Sequence, residues 1–276
     1  MLPIAILGGV VFHKWIDYLT PLSMCLIFCM LTITYCRIKP SDLRLKKYHW
    51  ILLGVQLLLS AITYFAILPF NPIVASGVFI CVFIPTATAA PVVTRMLGGD
   101  VTAVAIYSLL CNIVVALIAP IILAAIGEHP EMNFLESLLY ICKKVIPLLI
   151  CPMLIAFVMR KLTPKTHNFL ANHQSASFYL WAIALFIVIG SSVSFVIKRF
   201  TWEIAPILIG LTIGSLVVCV IQFYIGKKLG KKYGEPISGA QSFAQKNTIL
   251  AIWMCLTYLN PLSSIGPATY MAWHNL

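Results

Sequence analysis

The sequence predicts an all-α membrane protein of about ten spanning helices, and three observations predict it. Of the 276 residues, 61% are hydrophobic and 10% charged, where a soluble domain carries roughly a quarter charged residues. The mean hydropathy is +0.98, and the apolar residues gather into runs near the roughly 20 residues that cross a bilayer core of about 30 Å. The 19 Lys and Arg, against 8 Asp and Glu for a net charge of +11, fall mostly between those runs. This composition excludes a soluble enzyme, a disordered tail and a disulfide-stapled secreted module. The positive charge does not indicate nucleic-acid binding, because so few charged residues cannot coat a soluble surface.

Reading for apolar runs gives spans at about 2–12, 19–36, 50–68, 73–95, 101–126, 134–158, 177–197, 204–225, 238–256 and 261–276. The first is short: a tilted partial span or a disordered start. It lacks the basic start and small-residue cleavage site of a signal peptide. With the N-terminus inside, the inner loops hold Arg37, Lys39, Arg44, Lys46, Lys47, Arg95, Arg160, Lys161, Lys165, Lys227, Lys228, Lys231 and Lys232. The outer loops hold only Lys14, Lys198 and Arg199, beside Asp17, Glu128, Glu131 and Glu203. Thirteen basic residues against three is a positive-inside bias that sets the orientation. The expected location is the plasma membrane, the inner membrane in bacteria, with the N-terminus cytoplasmic.

The nine cysteines follow no metal or disulfide spacing and read as small hydrophobes in a bundle. No metal site is expected. No nucleophile–base pair, ligand cluster or catalytic carboxylate pair falls within the spans, so enzyme chemistry is not expected either.

The spans divide at Gly127–Asn133 into a first repeat of about 1–126 and a second of about 134–276, within a single transmembrane unit over 1–276. Because five is odd, the second set must run in the opposite direction. Such five-plus-five inverted repeats characterise secondary transporters. The fourth and ninth spans are interrupted. Pro85-Thr86-Ala87-Thr88-Ala89-Ala90-Pro91 sets two prolines inside an apolar run, each removing a helix donor. Residues Ser238 to Thr248 are almost entirely polar or small. Irregular backbone at membrane depth persists only where protein or a cavity satisfies it, and matched breaks in two halves point to a substrate site. Either break alone also fits a kink or a plain loop.

Every acidic residue lies in a loop or near a helix end, whereas Lys246 sits within the second break. Intramembrane charges are costly and usually face a cavity or a functional path. The expected partners of Lys246 are carbonyls, Gln241, Gln245, water or an anionic substrate; snorkelling to the cytoplasmic face is the alternative. Lys143 and Lys144 are read as snorkelling or interfacial.

Several motifs, in order, resemble the bile acid:sodium symporter family over nearly the whole chain. They are Lys39-Pro40-Ser41-Asp42, the Pro-x-x-Thr-Ala break at Pro85–Ala89, Gly98-Gly99-Asp100, Gln241-x-x-x-Gln245 and Trp273-His274-Asn275. The resemblance implies a panel domain moving against a core domain in which the two broken helices cross, with an organic anion bound between them. The implied lining is Thr86, Thr88, Gln241, Gln245, Lys246, Asn247, Thr248, His274 and Asn275; His274 equally fits an interfacial residue near the chain end. The family's Ser and Asn sodium ligands of the first break match Ala90 and Pro91 here. Its Glu, Gln and Asn of the second break match Gln241, Gln245 and Lys246, and its fifth-span hydroxyl pair matches Val104 and Ser108.

The chain is therefore a divergent member by this resemblance. Lys246 would substitute for sodium, holding the broken helix together and attracting the anion, with proton coupling as the other option. If sodium is bound after all, the implied ligands are Gln56, Ser108, Gln241 and Gln245. The expected activity is secondary active or facilitative transport of a small or amphipathic organic anion. A sodium-coupled symporter with rebuilt sites, and a channel or membrane sensor, are the alternatives. The closing helix, about sixteen residues from Pro261 to Leu276, reads as short or truncated, since the family's helix continues past Trp-His-Asn.

Overall fold

The structure, a computed structural model, describes residues 4, 7–8, 11–19, 21–38, 44–127, 132–173 and 175–275. Most of the run expected at 2–12, the Lys39–Asp42 motif, and Glu128 and Glu131 lie outside the described residues. The described residues are 85% helical, and no strand occurs among them.

After a helical turn at His13–Ile16 come α1 (Leu22–Cys36), α2 (Lys47–Ile67), α3 (Pro72–Phe83), α4 (Ala90–Met96) and α5 (Val101–Ile126). The remainder forms α6 (Phe134–Leu162), α7 (Pro164–Asn172), α8 (Ser175–Arg199), α9 (Ala205–Lys231), α10 (Pro236–Ala244), α11 (Thr248–Tyr258) and α12 (Ile265–Asn275). Among the described residues, five helices are long and apolar enough to cross a membrane: α2, α5, α6, the part of α8 from Tyr179 to Lys198, and α9 with its preceding turn. Helices α1, α3 and α11 are apolar but shorter. The closing helix α12 has 11 residues, preceded by a 3-10 turn at Pro261–Ser264.

Local chemistry sets the boundaries. Asn71 caps α3 by accepting from the amides of Ile73 and Val74, both at 3.0 Å, with Pro72 at the first helical position. Asn133 and Glu136 form a reciprocal capping box at the start of α6. Gly98 takes a positive φ of 79° after α4, where a side chain would be strained, and Asp100 then caps α5 by accepting from Thr102 and Ala103. Lys144 donates to the Tyr140 hydroxyl at 2.6 Å and lies over its ring on the outside of α6.

The chain folds as two compact units, each drawn from both halves of the sequence. The first comprises residues 1–43 and 116–198; the second comprises 44–115 and 199–276. In the first, α1 packs against α6 and α7. Helix α6 buries one face through Ile141, Val145, Leu148, Leu149, Pro152 and Ala156, the spacing of a single helical stripe. In the second, α3 is surrounded by α2, α9, α11 and α12, and Val78, Cys81 and Val82 meet Val218, Cys219 and Tyr270 in an apolar cluster. Helices α9 and α10 approach backbone to backbone: a Cβ on Gly226 would stand 2.6 Å from the Gly239 carbonyl oxygen, and one on Gly239 2.7 Å from Gly230 Cα. Small residues permit that approach where lipid provides no hydrophobic drive between helices. All nine cysteines are free thiols.

Candidate functional site

The two sequence breaks meet in the second unit. Between α3 and α4 the chain runs extended past Pro85 and Thr86, and between α10 and α11 it does the same at Gln245 and Lys246. These short stretches pair in antiparallel fashion through a single bridge between Thr86 and Lys246. The Ala87 amide donates to the Gln245 carbonyl at 2.7 Å, and the Asn247 amide donates to the Pro85 carbonyl at 2.9 Å. Thr86 and Lys246 are thus the non-hydrogen-bonded pair, the geometry in which facing side chains stand closest.

Each broken helix leaves C-terminal carbonyls without helical partners. Neutral side chains take them up. Gln56 of α2 donates through Nε2 to the carbonyls of Phe83 at 2.8 Å and Ile84 at 3.2 Å, while its Oε1 accepts from the Tyr107 hydroxyl at 2.8 Å. Thr86 donates to the Ser242 carbonyl at 2.6 Å. Tyr270 donates to the Ala244 carbonyl at 2.7 Å and accepts from Gln222 Nε2 at 3.0 Å. On the other side of the second break, Asn247 caps α11 by accepting from the Leu250 amide.

Lys246 is 1% exposed, and among the described residues its Nζ has no hydrogen-bond partner. It lies over the Phe243 ring, 5.5 Å from the centroid. The titratable groups facing it are the thiols of Cys81 and Cys111. None of the protein partners expected from the sequence, the carbonyls or the Gln241 and Gln245 amides, reaches the ammonium. The α3 and α10 termini supply the negative ends of two helix dipoles at this point, which favours a cation there. No direct bond holds the Lys246 side chain, whose nearest surroundings are the Phe243 ring and the two thiols. Gln241 Oε1, the Ser242 hydroxyl and His274 Nδ1 are buried without partners as well.

Thr86, Gln245, Lys246 and Asn247 of the expected lining are thus brought together, with Gln241 and Thr248 buried on the adjoining turns. Gln245 Nε2 donates to the His274 carbonyl at 3.1 Å, which ties the end of α12 to the second break. Thr88 is only half-buried on the turn after the first break, and Asn275 is exposed and bonded to Met271 of its own helix. Ser108 stands 3.4 Å from the Thr86 carbonyl. Sequence reasoning passed over Tyr107, Asn112, Gln222 and Tyr270. Asn112 and Gln222 did carry a signal, a lone amide inside a long apolar helix. The two tyrosines gave none, since an aromatic in such a helix usually serves packing alone.

A groove of about 460 Å³ opens beside this cluster, lined by Val220, Phe223, Tyr224, Trp273 and the His274 ring among others, with Lys227 as its cationic side chain. The half-helices α4 and α10 also pack together and are tied at their far ends. The Asp100 amide donates to the Ser238 hydroxyl, which donates to Glu235, each at 2.8 Å. Lys46 Nζ stands 3.4 Å from Asp100 and 3.2 Å from Glu235. Burial alone would raise the Asp100 pKa, but the Ala103 amide, Lys46 and the Thr102 amide outweigh it and hold the carboxyl below its ordinary value. Burial pulls the Lys46 pKa down while Glu235 and Asp100 pull it up, and the carboxylates prevail.

A family described as "Predicted membrane protein (DUF2101)" matches residues 131–237, which take in α6 to α9 and the first residues of α10. No curated protein matches the chain. The match and the five long apolar helices agree: the chain is a membrane protein.

Proposed function

We propose that this protein is a secondary transporter of the bile acid:sodium symporter type, moving an organic anion by alternating access without sodium at the crossing. The reading includes ten spans in a five-plus-five inverted repeat and an N-terminus on the cytoplasmic side of the plasma membrane. The observation that carries it is the buried Lys246 ammonium where two broken segments pair. A fixed positive charge occupies the place where a coupling cation would be held, and it attracts a counter-charge.

Three further features support this reading. The carbonyls that could serve as cation ligands are already taken by Gln56, Thr86 and Tyr270, so sodium would have to displace satisfied donors. The groove beside His274 pairs aromatic and aliphatic walls with the Lys227 ammonium, which suits an amphipathic anion. The two units divide the predicted spans into a set holding the second, sixth and seventh and a set holding both broken ones, as a panel and a core would. An unpartnered ammonium also favours a proton-coupled version, in which Lys246 loads and releases the proton.

Uptake into liposomes containing the purified protein tests the reading, with a bile acid and a panel of small carboxylates as probes. Saturable uptake and counterflow, equal with sodium or choline outside, are expected, and Lys246→Gln is expected to lower uptake at least about tenfold. Strict sodium dependence in the wild type overturns the substitution of the ion by Lys246. Flux without counterflow overturns the carrier. Uptake by Lys246→Gln that still follows a pH gradient overturns proton coupling through this residue.

A further inference from the structure

The first unit holds a basic cavity of about 570 Å³ that has no part in the reading above. Its polar lining is Arg37, Arg160, His167, Asn168 and Asn172, and no carboxylate lines it among the described residues. Three helix ends build it. Arg37 caps the C-terminus of α1, Arg160 lies in the last turn of α6, and α7 packs on both helices. Helix α7 turns His167 inward, 7% exposed, with Nδ1 3.4 Å from the Asn168 side-chain oxygen. Asn168 and Asn172 stand one turn apart, on one face of that helix.

Arg160 spends one donor on the Ile38 carbonyl, through Nη1 at a long 3.5 Å. Its planar fork has five donors, and no other hydrogen bond or ion pair of this side chain occurs among the described residues. Helix α6 has 29 residues, about 44 Å at 1.5 Å per residue, and so exceeds a hydrocarbon core of about 30 Å. Arg160, two residues from its end, therefore sits at headgroup depth when α6 spans. Basic pockets between helices at that depth match anionic headgroups, and arginine forks match the paired oxygens of a phosphate. The two asparagine amides add neutral donors that could serve the ester or glycerol oxygens.

We infer that this cavity is a phosphate site that takes the headgroup of an anionic phospholipid, with Arg37 and Arg160 on the phosphate oxygens. The same chemistry would accept free phosphate, so the test separates the two sources.

The full chain, purified in detergent, is titrated with dioctanoyl phosphatidylglycerol, dioctanoyl phosphatidylcholine and inorganic phosphate, reading Tm and bound mass by native mass spectrometry. Phosphatidylglycerol is expected to bind and raise Tm where phosphatidylcholine at equal concentration does not. The double variant Arg37→Gln/Arg160→Gln is expected to weaken that binding by about tenfold or more, the usual worth of a lost charged hydrogen bond. Lys161→Gln, exposed and outside the lining, is expected to change it less than twofold. If the double variant does not fold, Arg160→Lys keeps the charge, removes the fork and is expected to weaken binding severalfold. Stabilisation by inorganic phosphate that Arg160→Lys weakens supports the site with a soluble ligand; stabilisation by phosphatidylglycerol alone supports the lipid. Equal effects of the two lipids with none from phosphate, or wild-type binding by the double variant or by Arg160→Lys, overturn the inference.

Discussion

The Thr86 hydroxyl donates to the Ser242 carbonyl at 2.6 Å, a bond between residues 156 positions apart that joins the two broken segments. Beside it, the bridge to Lys246 makes the pairing continuous through the backbone. Thr86→Val keeps the shape and removes the donor, leaving a buried carbonyl unpaired. A loss of about 1–2 kcal/mol is expected, read as a lower Tm in detergent, with Thr86→Ser restoring most of it.

The Lys246 side chain makes no hydrogen bond that holds the crossing, so its replacement should not loosen it. Lys246→Met conserves length and apolar contact, removes an uncompensated buried charge and should leave Tm unchanged or a few degrees higher. Uptake should be lost in the same variant. A Tm several degrees lower would assign the ammonium a structural role instead.

Gln56 satisfies both Phe83 and Ile84 carbonyls and the Tyr107 hydroxyl. Gln56→Leu strands all three groups, and a destabilisation of about 2–4 kcal/mol is expected. Thermal unfolding of Gln56→Leu beside Tyr107→Phe checks it, because the second variant loses only one of these bonds and should lose less.

Gly239 lies against Gly226 and Gly230 of α9, with the Gly226 carbonyl oxygen 2.5 Å from where its Cβ would be. Gly239→Val forces α9 and α10 apart. Overpacking of this kind costs about 1–3 kcal/mol or more, and the yield of folded protein by size-exclusion chromatography should fall sharply. Gly54→Ala, where an added Cβ meets nothing within 4 Å, should be neutral.

Asp100 sets the acid side of stability. Its carboxyl is held below its ordinary value in the folded chain, so its contribution is present above the unfolded value of about 3.9 and is lost as pH falls through the lowered one. Lys46, raised in the folded chain, contributes below its unfolded value of about 10.4 and loses that contribution as pH rises through the raised one. Both side chains are partly exposed, so the effect is modest and weakens with salt. Asp100→Asn keeps the helix cap and should flatten the decline in Tm as pH falls below about 5, the window that opens roughly one unit above the ordinary carboxylate value and runs down through the lowered one.

Much of this architecture was legible beforehand. The apolar runs from 19–36 onward coincide with described helices, because burial in lipid demands run length and leaves a plain mark in composition. The two breaks were legible because proline and clustered polar residues disrupt a helix wherever they occur. Lys246 stood out as the charge lying within a break. The partners of the breaks were not legible. Gln56, Tyr107, Gln222 and Tyr270 come from four other helices, and no spacing rule links residues that meet only through packing. The protein carbonyls and glutamines expected to hold Lys246 are elsewhere engaged or out of reach, since neutral donors satisfy the helix ends without the desolvation a charge would suffer.

Composition and the spacing of prolines and charges alone settle that this is an α-helical membrane protein with two interrupted segments, one carrying a lysine, because each follows from local physics of solvent and backbone. Tertiary folding decides that the segments pair Thr86 with Lys246, that α9 and α10 touch at glycines, and that two arginines 123 positions apart line one cavity. Those relations depend on which surfaces close on one another, and that is set by the summed packing of distant elements rather than by any residue's own preference.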